Sequence, residues 1–345
     1  MKNLFYFLLY ISLPVYVFAQ PVNYYQSCFG LSGEELRSEL YNLIKDHTSF
    51  SYTTTKTILR ESDEDNNNPS NIILVYSGNS IDKFDFASNL EQDFWNREHV
   101  WPKSHGFPDE DDNAYTDVHN LKPSDRSVNS SRGTKDYDFG GSQHSEATEC
   151  LTDSDSWEPS DSVKGDIARI LFYMVVRYDP GYDHNNNSFD LELVDYTTPN
   201  NNDPILGKLS SLIQWHYDDP VDDFEITRNE IIYEFQENRN PFIDHPNLVS
   251  FIWGENIGEN WDESLGLDNI LDENLILFPN PSAGILNFNK YLNNERIEIF
   301  SLKGYKVFDQ LVFNSNSITL NLDSGVYVLK ISNNSSVTKH KIIIK

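Results

Sequence analysis

The stretch from Ser162 to Tyr178 limits the fold more than any other, because Ile167-Ala168-Arg169-Ile170-Leu171-Phe172-Tyr173-Met174-Val175-Val176 is apolar nearly all round. Such a run reads as a helix sunk in a core rather than laid on a surface. The chain can supply that core: it has 345 residues, 38% hydrophobic and 13% aromatic, enough for two domains.

Other elements can be read around this helix. Ser32, Glu34 and Glu35 open an amphipathic helix carrying Leu36, Leu40, Leu43 and Ile44. Residues 50–57 read as β-prone or loop, a polar cluster from Asp63 to Asn71 breaks the chain, and residues 72–77 make a short apolar strand. Trp95, Val100 and Trp101 suit a strand that Pro102 stops, and a second strand runs from Thr116 to Leu121, ended by Pro123. Ser124 caps a following helix with Asn129 one turn in. The order is strand, loop, strand, helix. Leu206 to Trp215 and Glu225 to Phe235 add two helices, joined through Asp218-Asp219-Pro220.

From Gly254 the chain turns acidic and rich in Gly and Asn, which reads as a linker at 256–274 between a domain at 20–255 and another at 275–345. In the latter, Ile297-Glu298-Ile299-Phe300, Ile318-Thr319-Leu320-Asn321-Leu322 and Tyr327-Val328-Leu329-Lys330-Ile331 alternate in polarity, and Gly, Asn and Ser separate them. A small β-sandwich is expected there. Residues 1–19 run from Lys2 through an apolar stretch to Val17-Phe18-Ala19, the pattern of a signal peptide cleaved after Ala19. The apolar run is short for a membrane anchor. An exported chain permits one bridge between its two cysteines, Cys28 and Cys150; the alternative is two buried thiols.

Chemistry concentrates in Asn96-Arg97-Glu98-His99-Val100-Trp101-Pro102-Lys103-Ser104, Asp117-Val118-His119-Asn120-Leu121 and Ser127-Val128-Asn129-Ser130-Ser131-Arg132. Phosphodiester hydrolysis needs a base, charge stabilisation and cationic groups to hold the backbone. A neutral imidazole suits the base near pH 7, which points to His99. A hard cation such as Mg²⁺ accepts one carboxylate and one amide oxygen and keeps several waters, which points to Glu98 and Asn129. In a regular strand Glu98 and His99 face opposite sides, so the strand must end or twist there. His119 and Asn120 either orient the site from behind or form a structural pair. Arg97, Lys103, Arg126, Arg132 and Arg239 are the candidate substrate contacts; Arg132 lies one turn after Asn129, where a phosphate clamp belongs. A net charge of −28 is awkward for a nucleic-acid partner, so a local basic cleft and salt-sensitive binding are expected.

These motifs, with Lys164-Gly165-Asp166-Ile167-Ala168-Arg169, Trp215-His216 and Asn238-Arg239-Asn240-Pro241-Phe242-Ile243-Asp244-His245-Pro246, resemble the bacterial secreted endonuclease I family over most of residues 25–255. The resemblance implies an α+β fold, a mixed helical scaffold around a ββα-metal (His-Me finger) motif. It implies cleavage of DNA, often RNA too, with little sequence preference. His99 would be the base, with Glu98 and Asn129 the ligands of Mg²⁺, for which Mn²⁺ or Ca²⁺ can substitute. Relatives carry an arginine between the two strands on the scissile phosphate; here Lys103 and His105 are the basic residues of that segment. Leu277-Phe278-Pro279-Asn280-Pro281-Ser282-Ala283-Gly284 and Gly325-Val326-Tyr327-Val328-Leu329-Lys330-Ile331 resemble the C-terminal sorting domain of the type IX secretion system. That implies a secreted or surface-held monomer whose partners are nucleic acid and the export machinery, without stable membrane insertion. A binding or adhesion protein with a structural cation site is the competing class, disfavoured by the joint presence of Glu98, His99 and Asn129. A zinc hydrolase would need clustered His or Cys ligands, and no His-Glu-x-x-His occurs.

Overall fold

In a computed structural model, the described residues are 20–345 apart from 22, 88–93, 180–188, 198–201, 263–274, 276, 302–304 and 333–336. The expected signal peptide and most of the expected linker fall outside them. The chain divides into two compact units, one up to Asp262 and one from Glu263.

In the first unit, helices α1 (Gly33–Ile44) and α2 (Tyr52–Ser62) precede strand β1 (Asn68–Ile73). Strands β2 (Trp95–His99) and β3 (Leu121–Asp125) form an antiparallel hairpin, with the helical turn α3 (Asn113–Thr116) in its connection. Helix α4 (Arg126–Arg132) follows β3 directly, and α5 (Lys164–Arg177), α6 (Leu209–Asp218) and α7 (Asp223–Gln236) complete the scaffold. Every residue of α5 is buried, as its apolar girth demands, and it packs against α1 and α6. Its polar residues are satisfied inside: Arg169 makes a bidentate pair with Glu225, and Tyr173 donates to Asp117.

Three expectations need correction. Residues 52–62 are helical, because Ser51 accepts the Thr54 amide as a cap and Thr55, Ile58, Leu59 and Ser62 share a buried face. The strand expected at 72–77 is centred earlier, at Asn68–Ile73. The strand expected from Thr116 to Leu121 is instead helical through Asn120, with a 3₁₀ turn at Val118–Asn120 that Asp117 caps through the His119 amide. The strand itself begins at Leu121 and contains Pro123, opposite Arg97. Proline is tolerated because β3 has a ladder on one side, while on the other Pro123 need only accept from the Val75 amide. Ser124 is consequently a strand residue, and Asp125 takes the cap position.

The second unit places strands β4 (Leu277–Phe278), β5 (Ile285–Leu292) and β8 (Ser315–Thr319) in one antiparallel sheet, in the order β4-β5-β8. Strands β6 (Glu295–Ser301), β7 (Lys306–Val312), β9 (Gly325–Ser332) and β10 (Val337–Ile344) form another, in the order β7-β6-β9-β10. Leu286 and Phe288 from one sheet and Ile297, Ile299 and Leu329 from the other share a single core, so the alternating polarity does mark two facing sheets.

Candidate active site

The hairpin carries the site. Trp95 pairs with Asp125 and His99 with Leu121, so Glu98 and His99 leave the last two positions of β2 towards opposite sides. The strand ends at His99, as the sequence required, and different neighbours surround the two side chains.

On one side, Glu98 is buried, and its Oε1 accepts the Tyr76 hydroxyl at 2.7 Å and pairs with Arg132 Nη1 at 3.2 Å. Burial pushes its carboxyl up to about 7, although Arg132 and the Tyr76 hydrogen bond pull the other way. On the other side, the His99 ring stacks on Tyr52 of α2 and meets Tyr115 of α3 edge-on, with centroids 5.8 and 4.9 Å away. His99 Nε2 lies 2.9 Å from the Tyr115 carbonyl oxygen. A carbonyl only accepts, so Nε2 carries the hydrogen. Burial lowers the imidazole pKa to about 3, which keeps the ring neutral and leaves Nδ1 with a free lone pair.

Helix α4 lies along β2. Asn129 Nδ2 donates to Asn96 Oδ1 at 3.0 Å and to the Arg97 carbonyl at 3.1 Å, while Arg132 Nη1 and Nη2 reach the carbonyls of His99 and Val100. Among the described residues nothing donates to Asn129 Oδ1 or to Glu98 Oε2. The two residues named as cation ligands thus each spend one polar atom on the protein and keep one oxygen, the donor type that Mg²⁺ prefers. The donor set, one carboxylate oxygen and one amide oxygen, is compatible with the cation. Clusters of three or more His, Cys, Asp or Glu that could hold a metal are absent among the described residues, which leaves no built zinc centre there.

The remaining candidates separate. Arg97 is half-buried, its guanidinium 3.3 Å above the Tyr52 ring and hydrogen-bonded to the Tyr52 carbonyl and to Thr55. Lys103 is exposed and donates to the Tyr115 hydroxyl. Arg126 has no side-chain hydrogen bond or ion pair among the described residues. Two of the candidates lie in the interior. Arg132 is fully buried against Glu98 and the β2 backbone. Arg239 is also buried, held by Glu230 and Asp244. His119 and Asn120 are both buried. His119 Nε2 faces the Asn238 carbonyl, and Asn120 exchanges two hydrogen bonds with the Trp101 backbone, which fixes the chain leaving β2. Sequence reasoning missed Tyr52, Tyr76, Tyr115 and Tyr137. Tyr76 stands 22 positions before Glu98, and no periodic spacing links them.

Comparison with known proteins defines the class. An extracellular ribonuclease of Bacillus subtilis (strain 168) is 47% identical over 249 residues, 71% of this chain and 83% of the relative. One from Bacillus amyloliquefaciens is 48% identical over 236 residues, 68% of this chain and 79% of the relative. The chain is a secreted, phosphodiester-hydrolysing nuclease. The family model for Endonuclease I matches residues 32–247, and the chain belongs to that family. Residues 276–345 match the secretion system C-terminal sorting domain, the address of the type IX machinery. A solved chain from a study of a type IX surface component of Porphyromonas gingivalis covers 24% of this chain at 12% identity with a TM-score of 0.19, too low to carry an argument. Among the described residues no helix is long and apolar enough to cross a membrane.

Proposed function

We propose that this nuclease is an endonuclease of ββα-metal type that cleaves DNA and RNA with little sequence preference and depends on Mg²⁺. The observation that carries the reading is the His99 tautomer: Nε2–H is committed to the Tyr115 carbonyl, and Nδ1 is left as an acceptor. In this mechanism His99 Nδ1 takes the proton from a water attacking phosphorus. Glu98 Oε2 and Asn129 Oδ1 would hold the cation, which when bound stabilises charge on the phosphoryl and leaving oxygens. Arg97, Lys103 and Arg126 are the cations left to contact substrate phosphates. That the relatives are named extracellular ribonucleases favours including RNA. We further propose that residues 1–19 are removed on export, that 20–255 is the catalytic domain, and that 256–274 links it to the sorting domain at 275–345. The protein acts as a monomer.

The test is cleavage of plasmid DNA and of a long RNA by wild type and His99→Ala, with Mg²⁺ and with EDTA. Wild type is expected to cut both only with the cation, and His99→Ala to lose roughly 10² to 10⁴-fold in rate while binding nucleic acid as before. Equal rates for the two proteins would remove His99 as the base. Wild-type activity in EDTA would remove the cation.

A further inference from the structure

Glu98 is gripped on one oxygen only. Its Oε1 accepts the Tyr76 hydroxyl at 2.7 Å and lies in an ion pair 3.2 Å from Arg132 Nη1, and behind Tyr76 the Tyr137 hydroxyl sits at 2.7 Å. Proton counting fixes the direction of this chain. Tyr76 has one hydroxyl proton and gives it to the carboxylate, so its oxygen must accept from Tyr137. The alternative acceptor for Tyr137, the Val100 carbonyl, is farther at 3.3 Å and already receives Arg132 Nη2 at 2.8 Å. Arg132 also lies 4.5 Å from the Tyr137 ring centroid, so the guanidinium and both phenols form one buried block. The Tyr76 ring is fixed from outside the site, against Trp157 at 5.2 Å.

We propose that Tyr76 and Arg132, backed by Tyr137, are positioning residues that lock Glu98 into giving a bound cation one oxygen, and so make the site discriminate against Ca²⁺. The inference rests on the proposed reading of Glu98 as a cation ligand. The physical reason is coordination chemistry. Mg²⁺ takes an octahedral shell at short distances and is content with single carboxylate oxygens and waters, whereas Ca²⁺ fills a larger shell and commonly takes a carboxylate through both oxygens. With Oε1 taken by the Tyr76 hydroxyl and ion-paired with the Arg132 guanidinium, that oxygen can reach a cation only by breaking a buried hydrogen bond and weakening a buried ion pair. The clamp therefore costs Ca²⁺ a ligand and Mg²⁺ nothing.

Tyr76→Phe removes one hydroxyl and keeps the ring on Trp157; Tyr137→Phe removes the second hydroxyl and leaves the Tyr76–Glu98 bond in place. Binding of Mg²⁺, Mn²⁺ and Ca²⁺ to the full protein would be measured by titration calorimetry, without substrate, for wild type, both variants and Glu98→Ala. In Tyr76→Phe the ratio of Mg²⁺ to Ca²⁺ affinity is expected to fall about tenfold, the lower end of what orienting partners of metal ligands contribute. Tyr137→Phe should move it in the same direction by less, and thermal melts should show both variants folded. Equal changes in both affinities, or none, in a folded Tyr76→Phe would overturn the clamp. If Tyr76→Phe does not fold, the ratio in Tyr137→Phe decides, and an unchanged ratio there overturns the proposal. Unchanged Mg²⁺ binding by Glu98→Ala would overturn the ligand assignment itself and not merely the clamp.

Discussion

Arg132 and Arg239 both stand in polar motifs of a nuclease, and both are turned inward. Sequence position could not tell an outward arginine from an inward one, because ion-pair partners keep no fixed spacing: Glu98 is 34 positions from Arg132, whereas Glu230 and Asp244 are nine and five positions from Arg239. Glu98, His99 and Asn129 could be singled out as candidates because each chemistry needs a particular side chain and all three stand between positions 98 and 129. Tyr76 and Tyr115 were not, because a hydroxyl donor and a backbone acceptor leave no pattern of their own. Removing Arg239 leaves two buried carboxylates unpaired, so Arg239→Ala is expected to cost about 3–5 kcal/mol of stability. Urea unfolding would measure it. The KM for nucleic acid, taken where the variant is still folded, should stay within about twofold, and a large rise in KM with unchanged stability would return Arg239 to the substrate.

The helices were legible in proportion to their burial. Helix α5 announces itself through apolar girth, while α2, with its run of threonines, imitates a strand until its cap and its buried face are seen. The hairpin order was readable, but not where its second strand begins, because Asp117 is held by Tyr173, Tyr178 and Gln236 from elements far along the chain. This packing brings histidines into the interior. Burial lowers His47, His119 and His216 to about 4, below the ordinary value for imidazole, and His99 to about 3. Asp117 is held near 2 despite its burial, with His47 and His119 as the foremost lowering influences. Between the ordinary imidazole value and about pH 4 the unfolded chain binds more protons than the folded one, so stability falls as the pH drops through that window. Thermal melts from pH 7 to pH 4.5 should show a steadily falling Tm. His119→Gln, which cannot charge, is expected to flatten the curve; an identical slope would remove His119 from the acid sensitivity.

For the whole molecule, a net charge of −28 narrows the choice of substrate contacts. Arg132, Arg169, Arg177, Arg228, Arg239, Lys122 and Lys164 are all buried, so much of the cationic inventory is spent on the interior. In the proposed reading phosphates are met by a few local groups such as Lys103 and Arg126, and binding should weaken as salt rises. The two units keep separate cores, which is why a change of composition along the chain was enough to tell them apart. Cys28 and Cys150 are both buried free thiols, with Cys150 donating to the Tyr76 carbonyl. Burial raises both thiols, Cys28 to about 12 and Cys150 to about 11, so neither is a ready nucleophile. Dithiothreitol should leave the Tm unchanged, and a clear drop on reduction would reveal a cross-link. An exported enzyme assembled without a cross-link needs no oxidant to fold, so its folding does not depend on the redox state of the compartment it enters.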